Sequence, residues 1–150
     1  MLSARLVGLI EGNWEEIAAR LIRAIRGHPD MRHLAARPEA EIREWCREIL
    51  INLGRLLSAG REEEVQRRFQ VMGRARFEER IPLDEAVLRL HLLKYKIAGF
   101  VHEQGYTMTA MQLYAEEELD QRVGRFFDAC VYNLVRGYEN AKRVAARVAS

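Results

Sequence analysis

Four side chains of one helical stretch carry most of the chemistry this sequence offers. Asp84, His91, Tyr95 and His102 fall within about 40° of one another at 100° per residue, flanked by Val87, Leu88 and Ala98. His91 and Tyr95 stand one turn apart and could address the same small ligand. His91 and His102 are three turns, ~16 Å, apart and cannot share a metal ion. A histidine on an apolar helix can ligate haem from one side, orient a small ligand, titrate as a pH switch or hydrogen-bond within a core. These four roles stay open, and His91 and Tyr95 are the candidate ligand-binding residues.

Other catalytic and metal patterns fail. The residues three before His28, His33, His91 and His102 are Ile25, Asp30, Leu88 and Gly99, so the Glu-x-x-His pair of di-iron bundles is missing. HExxH, CxxC and phosphate-cradling glycine loops are missing too. His28 and His33, with Asp30 between them, share a polar loop whose spacing defines no ligand geometry. Glu116, Glu117 and Glu118 fan around a helix and read as a solvated face. No nucleophile, base and oxyanion donor assemble. The chain therefore reads as non-enzymatic, with no catalytic residue, no metal site and no cofactor beyond the haem alternative at His91. Cys46 and Cys130 lie on apolar faces and read as buried free thiols.

Helices must position these groups. Leu2 to Arg26 repeats apolar residues at three- and four-residue steps (Leu6, Leu9, Ile10, Trp14, Ile17, Leu21) and predicts one helix, stopped by Gly27-His28-Pro29-Asp30. Pro38 occupies a first-turn position of a second helix, which runs past Trp45, Cys46 and Leu50 to Leu57 before Gly60. Glu62, Glu63 and Glu64 open a third, with Val65, Phe69 and Met72 inside, and Ile81-Pro82 breaks it. The fourth, Leu83 to roughly Gln104, confines Glu85, Arg89, Lys96 and Glu103 to one narrow arc; its apolar remainder predicts a central helix. A last pattern, capped by Thr107 or Thr109, runs to about Val148. Its stripe is Val123, Phe127, Cys130, Leu134, Tyr138, Ala141, Ala145 and Val148. No alternating strand pattern occurs, and the expected class is all-α.

The chain has 150 residues, 49% hydrophobic and 31% charged, which suits a single domain over 1–150 with a self-sufficient core. Basic and acidic residues nearly balance, 24 against 22, so no nucleic-acid or acidic-lipid partner is expected. No run reaches the ~18 apolar residues of a membrane span, and no signal-peptide pattern opens the sequence; a cytoplasmic location is expected. One length stands out. A last helix of about 40 residues spans ~60 Å, whereas a compact domain of this size is ~35–40 Å across. Either the helix bends, at Gly124 or Gly137, or its end projects. The tail 141–150 has lost large side chains and reads as a projecting rod or linker suited to pairing with a second copy. Cys130, Leu134, Tyr138, Ala141 and Ala145 are the candidate dimer and output residues.

Four strings in order, LIEGNWEEIAARLIRAI (9–25), INLGRLLSAG (51–60), PLDEAVLRLHLLK (82–94) and FFDACVYNLVRGYENA (126–141), resemble the RsbRD N-terminal family, the sensor domain of RsbR-type RsbT co-antagonists. The resemblance implies a globin-like helical bundle without haem, a homodimer, and a signal passed through the last helix to a protein partner or output domain of the kind found in stressosome proteins. It supplies no catalytic residue. With no room for an output domain before Ser150, the expectation is a free-standing sensor or a portion of a longer chain.

Overall fold

The computed structural model describes residues 2–104 and 109–149, in eight helices with no strand among the described residues. They are α1 (Leu2–Gly12), α2 (Trp14–Gly27), α3 (Arg32–Ala35), α4 (Glu39–Leu50), α5 (Leu53–Leu56), α6 (Glu62–Glu78), α7 (Leu83–Glu103) and α8 (Ala110–Ala149). The all-α class and the long last helix are as expected. None of these helices is long and apolar enough to cross a membrane.

Two expected helices are each split in two, and an asparagine marks each break. Asn13 Nδ2 donates to Leu9 O at 2.8 Å and Asn52 Nδ2 donates to Glu48 O at 2.8 Å. Each asparagine lies just past a helix end, where its side chain occupies a carbonyl of the last turn and the chain turns away. At these positions Leu2 to Arg26 becomes α1 and α2, and the helix expected to reach Leu57 ends at Leu50, followed by one turn, α5. Pro38, expected in the first turn, lies one position earlier, as the N-cap of α4 (φ −55°, ψ 140°), and Pro82 is the N-cap of α7 (φ −58°, ψ 141°), which starts at Leu83 as expected. Proline's fixed φ suits both sites, and Glu39, Glu41, Asp84 and Glu85 follow in the first turns, favoured by the helix dipole.

α6 ends in a Schellman turn: Ile81 N–H donates to Arg76 O and Arg80 N–H to Phe77 O, both at 3.0 Å. Arg80 takes the left-handed conformation there, with φ 62°. Thr109 caps α8 reciprocally. Its Oγ1 accepts from Gln112 N–H at 3.2 Å, while Gln112 Oε1 accepts from Thr109 N–H at 2.9 Å. Thr107, the other expected cap, lies outside the described residues.

α7 is central, as its composition predicted, and touches α1, α2, α3, α6 and α8. α2 lies between α4 and α7, and α8 covers α6, α7 and α1. The core includes Ile10, Ile17, Leu21, Ile49, Phe69, Leu90, Leu93 and Phe127, with Cys46 and Cys130 buried as free thiols. Burial pushes the Cys46 thiol up to about 12, and pushes Cys130 up as well, so neither is a thiolate near neutral pH. The charged arc of α7 turns inward at its start: Glu85 and Arg89 are buried. Glu85 accepts the N–H groups of His33 and Leu34 at 3.0 Å each, and its other oxygen lies 2.5 Å from His33 Nδ1. A carboxylate from α7 thus satisfies the free donors that open α3.

Candidate functional site

The candidate site is the seam between α6 and α8, together with the part of α8 beyond it. Its centre is a backbone-to-backbone crossing. A Cβ built on Gly73 would meet Leu134 O at 2.1 Å, and one on Gly137 would meet Gln70 O at 2.0 Å. Real Cβ contacts do not come this close, so each glycine exists to let the other helix approach. Gly137, expected as a bend site, is a contact site within an unbroken helix. Gly124, the other expected bend, also lies inside α8, and nothing stands within 4 Å of its added Cβ.

Side chains close the seam on both sides of the glycines. Phe69 meets Phe126 edge-on with centroids 6.1 Å apart, and Phe77 meets Tyr138 the same way at 5.5 Å. Gln70 Nε2 donates to Asn133 Oδ1 at 3.1 Å, while Asn133 Nδ2 donates to Ala129 O at 2.9 Å, so this buried amide is satisfied. Tyr138 OH donates to Ile81 O at 3.0 Å, tying α8 to the Schellman turn of α6. Burial raises the Tyr138 phenol, and the charges of Glu139 and Asp84 raise it further.

Past Tyr138 the surroundings change within one turn. Ala141 is half-buried and residues 142–149 are all exposed while remaining helical. Ala141, Val144 and Ala145 of α8 face Val71, Arg74 and Phe77 of α6 across an open groove of about 670 Å³. Val71 is 67% exposed, Val144 58% and Val148 82%, an apolar set near the end of the rod.

The residues singled out from the stripe of α8 therefore divide. Cys130 and Leu134 are fully inside the core and Tyr138 is engaged on α6, whereas Ala141 and Ala145 line the groove. His91 and Tyr95 also part company. His91 is half-buried and lines an open cleft of about 890 Å³ with His33, Asp84 and Leu88. Tyr95 is 63% exposed, with Lys94 Nζ 5.5 Å from its ring centre, and lines a separate hollow beside Asp120 and Gly124. His102 Nδ1 lies 3.4 Å from Glu116 of α8. His28 Nδ1 accepts from Asp30 N–H at 3.1 Å, and no group of metal-binding residues forms among the described residues.

Gly73 and Gln70 were missed from sequence, where a glycine inside a weakly patterned helix has no visible partner. The one available signal was the pairing of two unexplained mid-helix glycines, Gly73 and Gly137, each of which lowers helix propensity by ~1 kcal/mol relative to alanine.

No curated protein and no solved structure matches this chain. The sequence model of the RsbT co-antagonist protein rsbRD N-terminal domain matches residues 15–150, which takes in α2 from its second residue and all of α3 to α8. On that match, the chain belongs to the RsbT co-antagonist rsbRD N-terminal domain family, a family of sensory and regulatory domains.

Proposed function

We propose that this chain is a non-enzymatic, cytoplasmic sensory module that forms a homodimer. It passes a change in helix packing along α8 to a protein partner or output domain. The partner class that the family description points to is an RsbT-type regulator of the stressosome kind. The globin-like arrangement implied by the resemblance belongs to the same reading.

One observation supports it above others: α8 is clamped to α6 as far as Tyr138 and then continues, helical and exposed, through Ala149. A rod held at one end converts a small change in seam geometry into displacement at the other. With backbones touching at Gly73 and Gly137, the seam has no slack to absorb such a change. Val71, Val144 and Val148 supply an apolar face where a second copy can pair.

Light scattering across the micromolar range tests the pairing. The expected result is a dimer that Val144→Asp converts to monomer without loss of helix content by circular dichroism. A wild-type chain that stays monomeric over that range would remove the dimer from the mechanism.

A further inference from the structure

On the side of α6 away from α8, four buried donor atoms have no hydrogen-bond partner: Trp45 Nε1, Arg76 Nε, Arg89 Nε and Arg89 Nη2. All three residues line one cavity of about 220 Å³ between α4, α6 and α7. Arg89 is 4% exposed. Its guanidinium carbon lies 3.9 Å over the Trp45 ring, which offers the cation a π face but no acceptor for its N–H groups. Buried donors are nearly always satisfied, and four unsatisfied ones on three residues that line a single cavity call for an acceptor. The void exceeds the roughly 30 Å³ share of one water molecule, and water would leave the charge uncompensated.

The carboxylates at the cavity do not fill this need. Glu41 is bound by Arg37 through two contacts of 2.8 Å. Glu79 is held by Arg76 Nη2 at 2.8 Å and by Arg37 at 3.3 Å. Glu44 pairs with Arg47 at 3.3 Å and, like Glu48, sits on the exposed side of α4. Arg89 makes an ion pair with none of them, although it feels Glu79 and Glu41 at a distance. Burial, reinforced by the neighbouring Arg76 charge, brings its guanidinium well below the ordinary arginine range, to about 9, so it is still a cation at neutral pH.

We propose that this cavity binds a small oxyanion, a carboxylate or a phosphate, held by the Arg89 and Arg76 guanidinium groups and the Trp45 indole N–H. Guanidinium donors match the oxygens of both anions, and such charge-assisted bonds are strongest when water is excluded. The site does not depend on how α8 pairs with a second copy.

Trp45 is itself the reporter. The chain has two tryptophans, so Trp14→Phe leaves the indole at the site as the sole fluorophore. This full-length variant is titrated with inorganic phosphate and, separately, with acetate, against chloride at matched ionic strength. The expected result is a saturable change in emission with at least one oxyanion and none with chloride. Saturation by phosphate alone assigns a phosphoryl ligand, and saturation by acetate assigns a carboxylate. Adding Arg89→Met should weaken the response about tenfold or more. Should that variant fail to fold, Arg89→Lys, which keeps the charge but loses the fork, serves in its place. Emission that follows ionic strength alone with all three salts, or an equal response after Arg89 is replaced, overturns the proposal. Light scattering of the same samples keeps this outcome separate from the question of the dimer.

Discussion

The two faces of α6 are built on opposite plans. Toward α8 the helix presents Phe69, Gln70, Gly73 and Phe77, with backbones in contact and the Gln70–Asn133 and Tyr138–Ile81 polar pairs satisfied. Toward α4 and α7 it presents Met72 and Arg76, with Glu79 just past its end, beside a cavity whose lining residues carry four donors without an acceptor. Contact without slack fixes geometry, while a void lined by unsatisfied charge leaves geometry open to a ligand. One helix thus joins a stiff surface to an adaptable one.

The largest expected effect breaks the stiff face. Gly137→Ala should destabilise the fold by about 3 kcal/mol, because the new methyl group meets the backbone of Gln70 and must push the helices apart. Gly124→Ala is the control. The same substitution in the same helix, with nothing within 4 Å, should stabilise by about 1 kcal/mol. Urea denaturation measures both, and equal signs would show that the crossing does not hold α8. Gly73→Ala added to Gly137→Ala should cost less than the sum, since helices already separated have room for both methyl groups.

The next effect tests the other face, and its sign is reversed. In buffer without oxyanions, Arg89→Met should stabilise by about 1 kcal/mol, as removal of an uncompensated buried cation outweighs the lost stacking on Trp45. The advantage should depend on pH. Burial holds the folded Arg89 guanidinium down at about 9, well below its value in the unfolded chain, so the folded chain loses its proton first. The charged-state penalty is full below about 9 and is relieved as pH rises from there toward the unfolded guanidinium's ordinary value, so wild type gains on the variant over that window. Denaturation midpoints at neutral pH and near pH 10 compare the two. A gap that stays constant would mean that the charge on Arg89 is not the cause.

The same contrast explains what the sequence could and could not reveal. Periodicity and the Pro38, Gly60 and Pro82 breaks were enough to place most helices, and the mismatch between the length of α8 and the globule was visible at once. The breaks at Asn13 and Asn52 were not visible as stops, because an asparagine bonding a carbonyl four residues back is also compatible with an unbroken helix: Asn133 does so in the middle of α8. The Gly73–Gly137 contact depends on a partner 64 positions away. Arg89 shares a narrow arc with Lys96, which is half-buried, and Glu103, which is paired with Arg20 at 2.8 Å; only the tertiary neighbours at the start of α7 bury it. Residue type and spacing therefore point to His91 and Tyr95, on more open parts of the same helix.

Two smaller effects concern the turn that both faces of α6 share. Tyr138→Phe removes the bond to Ile81 O and keeps the edge-on contact with Phe77; it should cost about 1 kcal/mol, the usual net value of one hydrogen bond. Arg80→Gly should act the other way and least of all. Arg80 holds the left-handed position of the Schellman turn, where a side chain costs ~1–2 kcal/mol that glycine avoids. Glycine's greater freedom in the unfolded chain returns part of that gain, leaving a stabilisation of about 0.5–1 kcal/mol by urea denaturation. Ile81 lines the oxyanion cavity and also accepts the Tyr138 hydroxyl, so this turn touches the seam and the void together. If the two faces are independent in their chemistry and joined only by rigid backbone, Arg80→Gly should raise stability without changing the Trp45 emission response or the gain from Arg89→Met. A change in either would place the coupling in the turn itself and not in the body of α6.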